Sequence, residues 1–289
     1  MKTIYPYFSQ NPLDRLDSTR RNHKEVEQLK NTENTKFILF DNDKIVFDTK
    51  TKNCFFSNIE IDTSNAILLG RENSINYFAI NSLKYKNTET MPLREYANSS
   101  FIKKEKLGIL AQASAILNWH NNHQYCSYCG TKTVMKHAGW RRDCISCERQ
   151  HFPRVDPVVI MLVTYGQYCL VGRGVNFPKN RYSCLAGYME SGETIEDASR
   201  RELFEEAGVI GLNVEYKLSQ PWPFPSTLMI GVHVEAKSQE LSIDKHEIAD
   251  AKWMHKNDIK KILDGDESFG FSIPSKIAVA RNLLEIWVG

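Results

Sequence analysis

No stretch of about 18 consecutive apolar residues occurs in the 289-residue chain, which argues against a helix that crosses a membrane. No low-complexity tract occurs either. A hydrophobic content of 42% and a charged content of 25% describe an ordinary globular protein. Charge of one sign is also lacking: 37 Lys and Arg against 35 Asp and Glu leave a net +2, which points neither towards nor away from nucleic acid. Met1-Lys2-Thr3-Ile4 opens no apolar signal-peptide core, so the chain reads as cytoplasmic, with reduced thiols. Its length suits two domains plus a small insert.

What is present is concentrated between Gly187 and Val209. Gly187 is followed after five residues by Glu193 and, after seven more, by Arg201-Glu202-Leu203-Phe204-Glu205-Glu206-Ala207-Gly208-Val209. Thr194 with Asp197 three residues on reads as a capping-box start, and Gly208 suits a C-terminal stop, so a helix is expected over Thr194–Ala207. On it Glu202, Glu205 and Glu206 share one face at i, i+3 and i+4, while Leu203 and Ala207 turn to a core. Taken alone, three glutamates read as a solvated acidic face. Crowded carboxylates also suit a hard cation such as Mg²⁺, which takes oxygen ligands and keeps waters. The whole run resembles the Nudix box, G-x5-E-x7-R-E-U-x-E-E-x-G-U with U apolar, and meets every fixed position.

Upstream, Cys126-x2-Cys129 and Cys144-x2-Cys147 are separated by fourteen residues. Paired knuckles of this kind hold tetrahedral Zn²⁺ in a closed, structural site, one ion per chain, and two disulfides are the alternative. Cys54, Cys169 and Cys184 lie in apolar or strand-like surroundings and read as buried, inert thiols.

Downstream, Ser219-Gln220-Pro221-Trp222-Pro223-Phe224-Pro225-Ser226-Thr227 has three prolines at alternate positions, which stiffen a loop and present Trp222 and Phe224 at little ordering cost. An aromatic turn packed in a core is the bland reading. The segment is similar to the S-Q-P-W-P-F-P-x-S signature of NADH pyrophosphatases, with Thr227 in place of the usual Ser.

This resemblance implies a fold class and a division of the chain. The fold is an α/β Nudix α/β/α sandwich with a zinc ribbon and an N-terminal mixed α/β Nudix-like domain, divided as 1–120, 121–152 and 153–289. Phe37–Phe40, Ile45–Phe47, Cys54–Phe56, Ala66–Leu69 and Tyr77–Ile80 read as N-terminal strands, with a turn at Asn42-Asp43. A helix over Lys103–Trp119 carries Leu107, Leu110, Ala111 and Leu117 on one face. Pro157–Thr164, Tyr168–Gly172, Val214–Gln220, Leu228–Val234 and Glu247–Met254 read as catalytic-domain strands, and Ser275–Trp287 as a closing helix.

It also implies roles. Phe152 and Tyr188 match rings that contact a dinucleotide base, and Gln220, Pro221, Trp222, Pro223, Phe224, Pro225, Ser226 and Thr227 match a substrate loop. Arg94 and Ala280 match substrate positions under a loose alignment. Glu202, Glu206, Glu247 and the carbonyl of Ala186 match ligands of Mg²⁺ or Mn²⁺, Glu205 or Glu206 the general base, and Glu193 and Arg201 a pair bracing loop to helix. The activity implied is hydrolysis of the pyrophosphate bridge of NAD(H) to nicotinamide mononucleotide and AMP by a homodimer. Removal of a 5′-NAD cap from RNA, or another Nudix activity such as ADP-ribose hydrolysis, is the alternative.

Overall fold

A computed structural model describes residues 4–82 and 85–289. Met1–Thr3, which carry most of the leader reading, lie outside the described residues. The chain forms two compact units. One comprises residues up to Tyr7, Asp156–Pro221 and Thr227–Gly289; the other comprises Phe8–Val155 and Trp222–Ser226.

In the second unit, helices α1 (Asp17–Arg20) and α2 (His23–Lys30) precede strands β1 (Thr35–Asp41), β2 (Lys44–Asp48), β3 (Ile67–Glu72), β4 (Ile75–Asn81) and β5 (Thr88–Pro92). These strands form a mixed sheet in the order β3-β4-β1-β2-β5, with β1 parallel to β4. Phe37 and Leu39 of β1 pack with Val26 of α2, while the alternate residues Ile38 and Phe40 are buried on the other face. Helices α3 (Leu93–Asn98) and α4 (Leu107–Asn122) follow, and α4 packs against β1, β3 and β4. A three-stranded sheet, β6 (Thr133–Lys136), β7 (Arg141–Cys144) and β8 (Gln150–His151), completes the unit.

Two N-terminal expectations need correction. Cys54–Phe56 is not a strand: the Asn53 amide oxygen accepts from Phe55 N–H at 3.1 Å, turning the chain, and Phe56 alone bridges Phe37. Lys104–Lys106 is a single 3-10 turn ahead of α4, and α4 is buried well beyond one stripe, with Ile109, Ala113, Ile116 and Trp119 also enclosed.

The first unit is an α/β/α sandwich. Strands β9 (Asp156–Tyr165), β10 (Tyr168–Gly174), β11 (Leu185–Tyr188), β12 (Gly211–Trp222), β13 (Thr227–Ala236) and β14 (Ile248–His255) form one sheet, ordered β12-β13-β9-β10-β14, with β11 paired to β9. The near-continuous apolar run of β9 is explained by burial on both faces. Ile160 and Leu162 join Leu283 and Leu284 of α7 (Val279–Val288) and Ile259 of α6 (Lys256–Leu263). Met161 and Val163 join Leu203 and Ala207 of α5 (Ile195–Ala207) on the opposite side. Each layer contributes an apolar stripe that only the sheet covers.

Strand β12 runs further than expected, through Pro221 to Trp222, because it is the edge strand of its sheet, where a missing N–H is tolerated. Helix α7 starts four residues later than expected. Gln220, fully buried, donates to Ile277 O at 2.8 Å and Tyr7 O at 2.9 Å and accepts from Val279 N–H at 2.8 Å. The backbone before Val279 is thereby held outside the helix. Gln220→Leu strands the buried Ile277 carbonyl and Val279 N–H and is expected to lower stability by about 2–4 kcal/mol. Equilibrium urea unfolding with an unchanged midpoint would contradict this.

Candidate active site and zinc centre

Helix α5 begins and ends as its sequence dictates. Thr194 Oγ1 accepts from Asp197 N–H at 3.1 Å, and Gly208, at φ 69°, donates its N–H to Phe204 O at 2.8 Å. With both ends set, Glu202 and Glu206 turn inward at 9% and 6% exposure, and Glu205 remains accessible. The expected side-by-side carboxylates are therefore present on one helix, but in two environments.

Gly187 explains how the buried pair is accommodated. It lies on β11, opposite Val159 of β9, and a Cβ there would come within 1.9 Å of the carboxyl carbon of Glu202. Any side chain at this position displaces that carboxylate.

Arg201 organises the rest. Its Nε meets Glu193 at 2.5 Å, and its Nη2 donates to Glu193 at 2.9 Å and to the Tyr188 carbonyl at 2.9 Å. Nη1 reaches Glu202 at 2.8 Å and Glu205 at 2.9 Å. Glu193 also accepts from Glu190 N–H at 2.8 Å. The Arg201 hydrogen bonds, followed by the Glu190 N–H, hold Glu193 down at about 2 and keep it charged. Arg201 therefore ties the loop after β11 to the helix. Its contacts with Glu202 and Glu205 go beyond the expected Glu193 pair, although the Arg201–Glu205 spacing of four residues signals one of them.

Glu206 lies in the opposite environment. Burial first, then the charges of Glu202, Glu247 and Glu205, push it up to about 8. Glu202 is raised as well, chiefly by burial. One Glu206 oxygen is buried without a hydrogen-bond partner. An orphaned carboxylate oxygen pressed by neighbouring negative charges fits a hard divalent cation. Glu247 sits just before β14, and Ala186 precedes Gly187 on β11, beside Ile160. Among the described residues no cluster of carboxylate oxygens is as tight as the thiol cluster below. Hard cations that keep waters do not require one.

Tyr188 and Phe152, at 61% and 62% exposure, offer free ring faces. In the second unit Trp222 meets Phe224 and Phe8 edge to face, with centroids at 5.1 and 6.1 Å, and the Arg94 guanidinium lies 5.2 Å from the Trp222 ring centre. Pro223, Phe224 and Pro225 line a cavity of about 310 Å³ with Arg94. The turn itself spans only Pro223–Ser226, since Thr227 opens β13. Gln220 is engaged by backbone, and Ala280 is buried on α7.

The four expected zinc ligands converge. Their sulfurs all lie within 4.8 Å of one another, with Cys126–Cys147 at 3.6 Å, Cys129–Cys147 at 3.5 Å and Cys129–Cys144 at 3.4 Å. Ligands about 2.3 Å from a tetrahedral Zn²⁺ would stand near these separations. All seven cysteines are free, so the disulfide alternative is not realised. Burial pushes the Cys54 and Cys184 thiols up to about 12 and raises Cys169 as well, which leaves them inert.

Two outcomes follow. In zinc-loaded protein without Mg²⁺ or Mn²⁺, folded Glu206 binds a proton up to about pH 8, whereas an unfolded glutamate releases it near 4.5. Stability without the catalytic metal should therefore fall as pH rises between those values, by on the order of a few kcal/mol. Glu206→Gln should flatten that fall and Mg²⁺ should offset it; parallel melting profiles for both proteins would contradict the assignment. Separately, Cys126→Ser or Cys144→Ser should release about one Zn²⁺ per chain and lower the melting temperature. Elemental analysis finding no zinc in the unaltered protein would refute the centre.

Comparison with known proteins agrees with this geometry. Residues 153–270 match the NUDIX domain, and residues 121–152 match the NADH pyrophosphatase zinc ribbon domain. The chain is similar to human NAD-capped RNA hydrolase NUDT12, with 42% identity over 197 residues, 65% of this chain and 43% of that protein. It is 37% identical over 191 residues to mouse mitochondrial NAD(P)H pyrophosphatase NUDT13, covering 62% of this chain and 54% of that protein. It is also 37% identical over 186 residues to NAD-capped RNA hydrolase NudC of Mycobacterium bovis, covering 62% and 59%. The match thus spans about half the length of these curated relatives. The chain is a Nudix-domain protein that carries the zinc ribbon of NADH pyrophosphatases.

Proposed function

We propose that the chain hydrolyses the pyrophosphate bridge of NAD(H), releasing nicotinamide mononucleotide and AMP. The observation that carries the reading is the buried Glu202–Glu206 pair, cradled by Gly187 and lacking an internal counter-charge at one Glu206 oxygen. Glu202, Glu206, Glu247 and the Ala186 carbonyl would hold Mg²⁺ or Mn²⁺. The bound cation supplies charge neutralisation of the diphosphate and of the leaving phosphate.

The chain's own groups do the rest. Glu205 and Glu206 are the candidates to accept the proton of the attacking water, whose oxygen bonds one phosphorus as the bridging P–O bond breaks. Glu206 holds a proton near neutral pH while its neighbours are charged, so it becomes a base or ligand once that charge is offset. Arg201 keeps Glu205 and the loop carbonyl of Tyr188 in place, and the exposed Tyr188 and Phe152 rings offer stacking faces for bases. Gln220 acts as scaffold, through its three backbone bonds. A homodimer is part of the proposal, on the family resemblance alone.

The names of the human and Mycobacterium relatives favour a second substrate, RNA bearing a 5′-NAD cap, on which the same bond would be cut.

Steady-state kinetics on NADH and ADP-ribose test the reading, since both contain the same bridge. NADH should show the higher kcat/KM, and Tyr188→Ala or Trp222→Ala should narrow that ratio, because selectivity must come from groups beyond the phosphates. Glu206→Gln should lose at least about a hundredfold in turnover on both. Equal specificity constants in the unaltered enzyme would exclude NAD(H) as the preferred substrate.

A further inference from the structure

Strands β10 and β14 hold two cations that the site above does not use. Arg173 of β10 stands directly opposite Asp250 of β14, and Lys252 stands opposite Val171, so Arg173 and Lys252 are diagonal neighbours on one face of the sheet. Val171 joins the core under α6 and α7, which fixes that face. Arg173 and Asp250 are placed to form an ion pair, yet none is made. Asp250 Oδ2 instead accepts the hydroxyl of Tyr182, and neither Arg173 nor Lys252 has a carboxylate within ion-pairing distance among the described residues.

Each cation is held in place without being neutralised. Lys252 Nζ lies 4.0 Å from the centre of the Tyr182 ring and 3.8 Å from that of Phe271, and the two rings meet edge to face with centroids at 4.9 Å. Burial holds the ammonium below its ordinary range, and Asp250 offsets only part of that effect. Arg173 is partly buried, and its buried Nε has no hydrogen-bond partner. Burial and then Asp250 raise the Tyr182 phenol, while Arg173 acts on it in the opposite sense, so phenol, carboxylate and guanidinium lie within reach of one another. The phenol thus occupies the carboxylate and leaves a guanidinium and an ammonium short of acceptors. Unmet donors at such a place cost stability until an acceptor arrives.

Their position indicates the acceptor. Asp250 and Lys252 lie three and five residues beyond Glu247. Val175, two residues beyond Arg173, donates its N–H to Glu247 O at 3.0 Å, and two residues of strand span about 7 Å. Tyr182 lies four residues before Ala186, and both pack on this face. The cations therefore stand beside the proposed metal site, on the strands that carry its ligands. A metal ion neutralises part of a diphosphate, and the remaining negative charge needs donors of its own. Diagonal partners about 7–8 Å apart let a guanidinium fork and an ammonium converge on one phosphate group. We propose that Arg173 and Lys252 clamp one phosphate of the pyrophosphate substrate, and that Tyr182, by occupying Asp250, keeps Arg173 available for it. The inference rests on the pyrophosphatase reading above and adds the groups that position its substrate.

Calorimetric titration of the full-length, zinc-loaded protein with methylenediphosphonate in saturating Mg²⁺ tests the clamp without turnover, because the carbon bridge is not hydrolysed. Arg173→Gln and Lys252→Gln should each raise Kd at least about tenfold, with Arg173→Lys intermediate. In steady-state kinetics the same variants should raise KM for NADH and ADP-ribose by similar factors and change kcat by less than about threefold, the mark of binding shared by ground and transition states. Tyr182→Phe keeps the ring beside Lys252 but frees Asp250 to pair with Arg173, so it should raise KM several-fold. Adding Asp250→Asn should lower KM again, a rescue that a merely structural Tyr182 would not show. Unchanged Kd in both glutamine variants, or no binding of the diphosphonate to the unaltered protein, would overturn the clamp. Weakened diphosphonate binding with unchanged KM would also overturn it, by assigning the cations to a separate anion site. Clamp-dependent diphosphonate binding without NADH turnover would support the clamp and remove NAD(H) as the substrate.

Discussion

Like charge held close together under a folded sheet is the constraint on which the catalytic unit depends. Glu202 and Glu206 are buried on the inner face of α5, and Glu205 and Glu247 are near enough to oppose their ionisation. Arg201 offsets part of this charge, but its guanidinium is shared among Glu193, Glu202, Glu205 and the Tyr188 carbonyl. None of its bonds reaches the orphaned oxygen of Glu206. The fold accordingly keeps a carboxyl that holds its proton near neutral pH, which suits the proposed cation site.

The sandwich makes that arrangement tolerable. Leu203 and Ala207 anchor α5 to the core beneath β9 and β13, so the helix cannot relax away from the crowding. Gly187 leaves no side chain where Glu202 must lie, and the Arg201 brace holds the loop after β11 against the same helix. On the far face, α6 and α7 complete the burial of β9 and fix the strand that carries β11. Packing energy from both layers thus holds the electrostatic strain of the site.

Much of this was legible in the sequence because the informative features are local. The caps of α5, the i, i+3, i+4 glutamates and the paired cysteines need only spacing and chain geometry. The β9 run reads as a doubly buried strand for the same reason. What escaped depends on distant partners. The late start of α7 follows from Gln220, and the turn at Cys54–Phe56 from the Asn53 side chain. The steric role of Gly187 shows only when β11 and α5 are brought together.

The central claim, that a buried, proton-holding Glu206 is the receptor of a catalytic cation, is tested most directly by proton release on metal binding. Calorimetric titration of the zinc-loaded protein with Mn²⁺ in buffers of different ionisation enthalpy counts the protons released. At pH 7, with Glu206 near 8, close to one proton per chain is expected, falling to about half near pH 8 and absent in Glu206→Gln. Mn²⁺ binding to the unaltered protein with no proton release at pH 7 would contradict it.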